Sequence, residues 1–303
     1  MSLTYERVCG LAEALEVMGR HGAAAVPLAG GTDVVPHARA RRIERGVLLD
    51  ISRVGELRGI EFAAGFAMIG SLVTAAQLVE SHDVVRAFPS LAAAAGSLGS
   101  PQVRNRATVG GNVVNASPAA DLALALISLD AEVVLASSVG RRTLPLHGFF
   151  VGPGLTTRSP DELVVGFKVP VQPAARAVFT KVGLRRSLAC ALVNLSVVVV
   201  PADDGRSCTT AAIALGAVAP VCFRARTAEN SLVGREVDAD VLAAVAAAAA
   251  RETSPISDVR GSAAYRRYLV AVYVERALAE LFPAAYGDDG PAAGAAGAQG
   301  EAT

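Results

Sequence analysis

Two glycine pairs, each followed by short polar residues, constrain this chain more than any other feature. They stand about eighty residues apart, in Leu28-Ala29-Gly30-Gly31-Thr32-Asp33 and in Thr108-Val109-Gly110-Gly111-Asn112. Because glycine has no side chain, successive backbone N–H groups can turn inward and approach a pyrophosphate closely. A single pair usually marks only a turn. Two pairs with matched polar followers predict a split dinucleotide site in which backbone amides carry the negative charge. The side chains available for ribose or ribityl hydroxyls are those of Thr32, Asp33, Thr108, Asn112, Ser117 and Asp121.

Composition narrows the class of protein. The chain has 303 residues, 52% of them hydrophobic, and a formal net charge of zero, which is typical of a compact protein with two domains or one large one. That balance offers no basic face for nucleic acid. No N-terminal leader and no run of roughly 18 apolar residues is visible, so we expect a cytoplasmic protein without membrane contact. The four cysteines and four histidines are scattered, and their spacing predicts no metal site.

The N-terminal half reads as mixed α and β structure. A helix over about 8–21 and strands over 24–28 and 47–51 predict a small α/β unit around the first glycine pair. Further on, we expect an apolar helix that begins at Asp121 and is capped by it. The prolines of 169–173 predict a link between domains.

The C-terminal half is simpler. Strands are predicted over 178–182, 191–200 and 210–215, and two helices over 240–252 and 263–282. The run Val197-Val198-Val199-Val200 indicates a strand buried on both faces, because an exposed strand would alternate. Strands followed by helices predict an α+β domain with a three-stranded antiparallel sheet. The alanine- and glycine-rich residues 284–303 cannot bury enough apolar surface to offset ordering, so we expect a disordered tail.

Longer strings around the two glycine pairs resemble a known family. The string Gln102-Val103-Arg104-Asn105-Arg106-Ala107 leads into the second pair, and Ala116-Ser117-Pro118-Ala119-Ala120-Asp121 follows it. Together with Asp161-Glu162-Leu163 and Phe179-Thr180-Lys181-Val182-Gly183-Leu184-Arg185, they resemble the FAD-binding medium subunit of molybdenum hydroxylases, the xanthine dehydrogenase and carbon monoxide dehydrogenase family. The similarity spans roughly residues 5–282.

The resemblance implies a fold and a set of cofactor contacts. It implies an α+β chain with a two-subdomain FAD-binding domain of the PCMH type, as in vanillyl alcohol oxidase-like flavoproteins, over 1–172 (subdomains about 1–56 and 57–172). A C-terminal domain of the carbon monoxide dehydrogenase flavoprotein type would follow over 176–283. In this family pattern Leu163 lies beside the isoalloxazine and Lys181 near its N1/O2 edge. The residues implied to bind FAD are Leu28, Ala29, Gly30, Gly31, Thr32, Asp33, Thr108, Gly110, Gly111, Asn112, Ser117, Asp121, Leu163 and Lys181.

The resemblance also implies partners. An iron-sulfur small subunit and a molybdopterin large subunit would supply electrons, which pass through FAD to NAD⁺, oxygen or another acceptor. Lys181 and Lys168 are the only lysines, and a compact ammonium beside a flavin would stabilise its anionic reduced form. No acid-base pair or nucleophile is predicted in this chain.

Two other interpretations stay open on the sequence. The chain could be a self-contained FAD-dependent oxidoreductase that acts directly on an organic substrate, or a non-redox nucleotide-binding module whose glycines are only turns. The position of Arg39 departs from the family pattern, which often has a lysine shortly after the first motif. We expect Gly110→Val or Gly111→Val to abolish FAD retention and leave the fold largely intact.

Overall fold

A computed structural model describes residues 3–185 and 188–285. Its first unit is a parallel sheet in the order β1-β3-β2, and the helix α1 packs against the sheet. The elements are β1 (Leu3–Arg7), α1 (Leu11–His21), β2 (Ala25–Leu28), α2 (Val34–Arg39) and β3 (Gly46–Asp50). The helix and the two strands expected here are confirmed within three residues at each end. The sequence reading missed β1, whose residues are mostly exposed and show no clear alternation.

The second unit joins an antiparallel sheet to a layer of short helices. The sheet runs in the order β4-β5-β10-β6-β7. Its strands are β4 (Ile60–Ala63), β5 (Phe66–Gly70), β6 (Glu132–Ser137), β7 (Gly140–Pro145) and β10 (Leu163–Pro170), and a small hairpin is formed by β8 (Phe150–Gly152) and β9 (Leu155–Thr156). The helices are α3 (Ala75–Glu80), α4 (His82–Ala87), α5 (Pro89–Gly96), α6 (Pro101–Arg104), α7 (Val109–Val114) and α8 (Asp121–Ser128).

Helix α8 is the centre of this unit. All eight of its residues are buried. A helix that is apolar on every side must be enclosed by protein, because no face of it can be left in water at low cost. The expected helix is confirmed, but its N-cap is Ala120, and the Asp121 side chain makes no cap hydrogen bond. Asp121 is the first helical residue instead, and its carboxylate has other partners.

The C-terminal sheet has four strands in the order β11-β12-β13-β14. Its strands are β11 (Arg176–Val182), β12 (Val193–Pro201), β13 (Cys208–Gly216) and β14 (Phe223–Arg224). The three expected strands are confirmed, and the two-residue edge strand β14 corrects the predicted count. The helices α9 (Arg226–Leu232), α10 (Ala239–Arg251) and α11 (Ala263–Leu281) follow; α9 was not predicted.

Both faces of the C-terminal sheet are covered. Val197 and Val199 pack with the helices α9, α10 and α11, whereas Val198 joins the core of the second unit around α8. The expectation of a strand buried on both faces is therefore confirmed. Because one face packs against the second unit, side chains of the C-terminal sheet complete the hydrophobic core of that unit.

Ser100 is the N-cap of α6, where its side chain accepts a hydrogen bond from the amide of Val103. The expected disordered tail over 284–303 lies, from residue 286 on, outside the described residues. Among the helices described in 3–185 and 188–285, none is long and apolar enough to cross a membrane.

Candidate active site for cofactor binding

A cleft of about 570 Å³ opens at the carboxyl ends of the three parallel strands. The strands β1, β2 and β3 end there at Arg7, Leu28 and Asp50. Loops that follow parallel strands meet at this edge, which is where open α/β sheets bind ligands. The cleft is lined by Arg7, Leu28, Ala29, Gly30, Gly31, Thr32, Val35, Asp50, Ser52, Arg53, Arg58 and Arg106.

The first glycine segment presents free backbone donors. The amides of residues 29–33 donate no hydrogen bond to any residue in the described ranges 3–185 and 188–285. Gly31 has φ of +76°, a left-handed conformation that glycine adopts without strain. A loop of consecutive amides in such a conformation forms a concavity suited to an anion. Free donors along one loop fit the diphosphate of a dinucleotide.

The two glycine segments meet in space. A Cβ at Gly30 would overlap the carbonyl group of Arg106 and lie 3.3 Å from the Cα of Ala107. Glycine is therefore required at position 30 because the backbone that leads into the second segment passes directly against it. The expected convergence of two distant stretches is observed, and the contact is made by the residues just before Thr108.

Arginine side chains surround this cleft. Four arginines against one aspartate give its lining a formal charge of +3. Arg7 binds Asp50, with 2.9 Å between Nε and Oδ2, and Arg58 donates to the carbonyl of Ser52. Arg53 and Arg106 are exposed and form no ion pair with any residue that the structure describes. The sequence reading assigned the charge of the anion to backbone dipoles alone and missed these arginines, although Arg106 lies within the string that carries the resemblance.

Asp50 is the buried anchor of the cleft. Burial by itself would raise the pKa of its carboxyl group, but hydrogen bonds from Ser52, Tyr5 and Arg7 outweigh that effect and lower the pKa well below its ordinary value. The carboxylate stays ionised at neutral pH and holds Arg7 at the rim of the cleft.

The second glycine segment uses its donors within the protein. Gly110 and Gly111 lie in the first turn of α7. The amide of Gly110 donates to the carbonyl of Ser71 at 2.9 Å, and that of Gly111 to Oγ1 of Thr108 at 3.1 Å. In this arrangement both amides have acceptors within the protein, unlike those of the first segment, and their contact with a phosphate stays a prediction.

The same packing decides what a side chain at Gly110 would do. A Cβ there would lie 2.7 Å from the Cβ of Ser71 and 2.8 Å from its carbonyl oxygen. That overlap is with backbone and cannot be relieved by turning a side chain. The expectation that Gly110→Val leaves the fold intact is corrected accordingly.

The polar side chains after the second pair also have structural partners. Asn112 accepts a hydrogen bond from the amide of Ala123 at 3.2 Å, which satisfies one donor at the start of α8. Ser117 accepts from the amide of Ala119 at 3.3 Å. Thr108 is buried as the N-cap of α7. These side chains organise the segment between the two helices.

Asp121 and Lys181 form a buried ion pair between the second unit and the C-terminal sheet. Their Oδ2 and Nζ atoms are 2.6 Å apart. Asn194 of β12 donates to the other carboxylate oxygen at 2.8 Å, and Lys181 also donates to the carbonyl of Ser97 at 3.4 Å. Burial raises the pKa of Asp121, while the Lys181 ammonium and the Asn194 amide oppose that rise. Sequence reasoning named the ion pair's two members separately and missed Asn194, whose strand showed only an apolar pattern.

Two more of the expected contacts, Leu163 and Asp33, lie outside the lining of the cleft. Leu163 is 4% exposed and packs with Val8, Leu11 and their neighbours in the core of the first unit. Asp33 precedes α2, and its side chain makes no cap hydrogen bond. Of the predicted residues, only those at 28–32 therefore line the cationic cleft, and the others lie outside its lining.

Family profiles match nearly the whole chain. The family described as FAD binding domain in molybdopterin dehydrogenase matches residues 1–172. The family described as CO dehydrogenase flavoprotein C-terminal domain matches residues 179–281. The first match ends in the turn between β10 and β11, and the second begins within β11.

Curated relatives and solved structures agree with these profiles. The carbon monoxide dehydrogenase medium chain of Hydrogenophaga pseudoflava is 33% identical over 90% of this chain and 95% of its own. The glyceraldehyde dehydrogenase medium chain of Sulfolobus acidocaldarius is 32% identical over 92% and 98%.

A structure of carbon monoxide dehydrogenase from Hydrogenophaga pseudoflava that lacks the Mo-pyranopterin moiety matches at a TM-score of 0.88 and 33% identity, over 92% of this chain and 96% of that one. Quinoline 2-oxidoreductase from Pseudomonas putida 86 matches at 0.87 and 28%, over 94% and 98%. With both family profiles matched along one α+β fold, this chain belongs to the FAD-binding medium subunits of the molybdenum hydroxylases, an oxidoreductase family whose cofactor here is FAD.

Proposed function

We propose that this subunit holds the diphosphate of FAD in the cleft beside the first glycine segment and carries electrons between partner subunits and an external acceptor. The observation that supports the cofactor site best is that the amides of residues 29–33 and the side chains of two neighbouring arginines, Arg53 and Arg106, have no protein partner in the part of the chain that the structure describes. Donors and positive charge together fit a diphosphate, which carries two negative charges.

The remaining predicted contacts belong to the same proposal. We assign Thr32 and Asp33 to the cofactor's hydroxyl groups, and Thr108, Gly110, Gly111 and Asn112 to the wall that the first segment packs against. Gly30 supports this division, because it touches the backbone just before Thr108. Ser117, Asp121 and Leu163 would shape the inner end of the site.

Lys181 has a defined place in this proposal. Its ammonium is held by Asp121 and by the carbonyl of Ser97, so a bound flavin would meet a lysine whose position is set by the protein. FAD supplies chemistry that accepts electrons singly and releases them in pairs. The chain's part is to bind and orient the cofactor, and a fixed cation near the ring would favour its reduced, anionic form.

The proposed electron path begins outside this chain. An iron-sulfur small subunit with [2Fe-2S] clusters would deliver electrons that a molybdopterin large subunit removes from substrate, and this subunit would pass them to NAD⁺, oxygen or another acceptor. The relatives named as medium chains of dehydrogenases support such an assembly. We also propose a cytoplasmic location and a domain boundary within 172–176, where β10 of one sheet gives way to β11 of the other.

Anaerobic reduction tests the proposed path. The full chain, loaded with FAD, is mixed with its reduced iron-sulfur partner, and the flavin absorbance near 450 nm is followed by stopped flow. We expect bleaching on mixing and recovery on addition of the acceptor. Bleaching by an alcohol or amine in the absence of any partner would favour the self-contained oxidoreductase instead. A chain that retains no flavin at all would contradict the cofactor site.

A further inference from the structure

The cleft holds two cationic side chains for which the residues at 3–185 and 188–285 supply no partner. Arg53 follows β3 and Arg106 precedes α7, so they come from different units and reach the same cleft. Arg7 and Arg58, by contrast, are tied to Asp50 and to the Ser52 carbonyl. Within the described residues, Arg53 and Arg106 are therefore the arginines of this cleft that remain available to a ligand.

Backbone packing fixes the position from which the Arg106 side chain extends. The carbonyl of Arg106 packs against Gly30, in the middle of the loop with unbonded amides. The side chain thus leaves the backbone at the same place where the free donors are. Arg53 stands three residues after Asp50, whose carboxylate accepts from the Ser52 amide at 2.9 Å and orders this turn.

Arginine suits a diphosphate for a geometric reason. Its planar guanidinium can donate two parallel hydrogen bonds to phosphate oxygens, and a guanidinium is a permanent cation in proteins. Backbone amides position an anion but bring only partial charges. Two guanidinium groups that line the same cleft as the amides of 29–33 would neutralise both charges of a diphosphate diester.

From this arrangement we propose that Arg53 and Arg106 form an arginine pair that binds the diphosphate of a dinucleotide together with the amides of residues 29–33. This inference extends the proposed function, because the diphosphate has two possible sources. It belongs either to FAD, as proposed above, or to a different dinucleotide, such as a nicotinamide acceptor, that occupies this cleft in place of FAD.

Glutamine substitutions at the two arginines test the effect of their charge on ligand binding separately from any effect on stability. Arg53→Gln and Arg106→Gln keep most of the side-chain length at exposed positions, and Arg141→Gln is the matched control, because Arg141 is exposed on the edge strand β7 and does not line the cleft. Thermal unfolding should be unchanged in all three. The Kd for FAD is measured on the full-length apoprotein by flavin fluorescence, and the Kd for ADP-ribose is measured on the same apoprotein by calorimetry.

We expect each cleft variant to raise the Kd for FAD or for ADP-ribose by about tenfold, and the double variant to raise it further. The affinity of the variants should also depend less steeply on salt than that of the wild type. Loss of FAD affinity identifies FAD as the source, and loss of ADP-ribose affinity alone identifies a different dinucleotide. Unchanged affinity for both, or an equal loss in Arg141→Gln, would overturn the arginine pair. A wild-type chain that binds no FAD contradicts the proposed function, and the ADP-ribose measurement still decides the pair.

Discussion

The two glycine segments have similar sequences, but their backbone amides differ in whether they form hydrogen bonds within the protein. In the first, the amides of residues 29–33 have no hydrogen-bond acceptor among the described residues, and they lie beside an open cationic cleft. In the second, at 108–112, the amides of Gly110 and Gly111 donate hydrogen bonds to Ser71 and Thr108. The residues that follow are joined to the C-terminal sheet by the ion pair of Asp121 with Lys181. A glycine pair can therefore serve a ligand or serve close packing. The hydrogen-bond partners of its amides distinguish the two.

This difference separates the effects that substitutions should have. Changes in the anchored segment, 108–121 with its partner Lys181, should destabilise the fold. Changes on the open side, such as those at Arg53 and Arg106, should alter ligand affinity at nearly constant stability.

The largest effect is expected at Lys181. Replacing it by methionine leaves the Asp121 carboxylate buried without its cation, which should lower the free energy of unfolding by about 3–5 kcal/mol. Guanidinium unfolding of the full chain measures this loss.

The chain provides its own control for that variant. Lys168 also lies in a strand, but its ion pair with Glu132 spans 3.4 Å and both side chains are more than a third exposed. Lys168→Met should change the free energy of unfolding by at most about 1 kcal/mol. Equal losses in the two methionine variants would mean that the buried pair does not anchor the second segment.

The next effect is expected at Gly110. Gly110→Ala places a Cβ against the backbone of Ser71 and should cost about 2–3 kcal/mol of stability. Gly148→Ala is the matched control, because a Cβ at that position meets no atom within 4 Å. A Gly110→Ala protein that is as stable as the control but binds no FAD would show that this glycine serves the ligand after all.

The smallest effect concerns acid stability and is expected at Asp50, the buried carboxylate beneath the cleft. The pKa of Asp50 is lower in the folded chain than in the unfolded one, so its ionised form stabilises the fold above the unfolded value of about 4, and that contribution is lost as the pH falls toward the folded value. Asp50→Asn should cost about 1–2 kcal/mol at neutral pH and flatten the decline in stability below about pH 4. Urea unfolding measured from pH 7 to pH 3 follows both changes. A wild-type and a variant curve that stay parallel throughout would contradict the assigned role of Asp50.

Much of the fold follows from local patterns. The apolar run of α8, the valine run of β12 and the alanine-rich helix α10 each carry a periodicity or propensity strong enough to name the element. The exposed strand β1 and the two-residue β14 were missed for the same reason, since neither shows a pattern of burial. β1 exists because β3 supplies its hydrogen-bond partners.

Some residues of the candidate site could also be predicted from the sequence and others could not. The motif residues could be predicted because glycine pairs followed by polar residues are recognisable in the sequence itself. Asn194 and Arg53 could not be predicted, because Asn194 lies within an apolar strand and Arg53 resembles a solvated surface charge. Each acquires its place only from residues distant in the chain, at 121 for Asn194 and at 28–32 for Arg53.

The sequence alone determined which family this chain belongs to, where its main helices and strands lie, and that two glycine segments would converge. Only the tertiary structure decided which of the two keeps its amides free. The reason is physical: glycine permits close approach by any atom, and whether that atom is a phosphate or the carbonyl of Ser71 depends on what the fold brings against it.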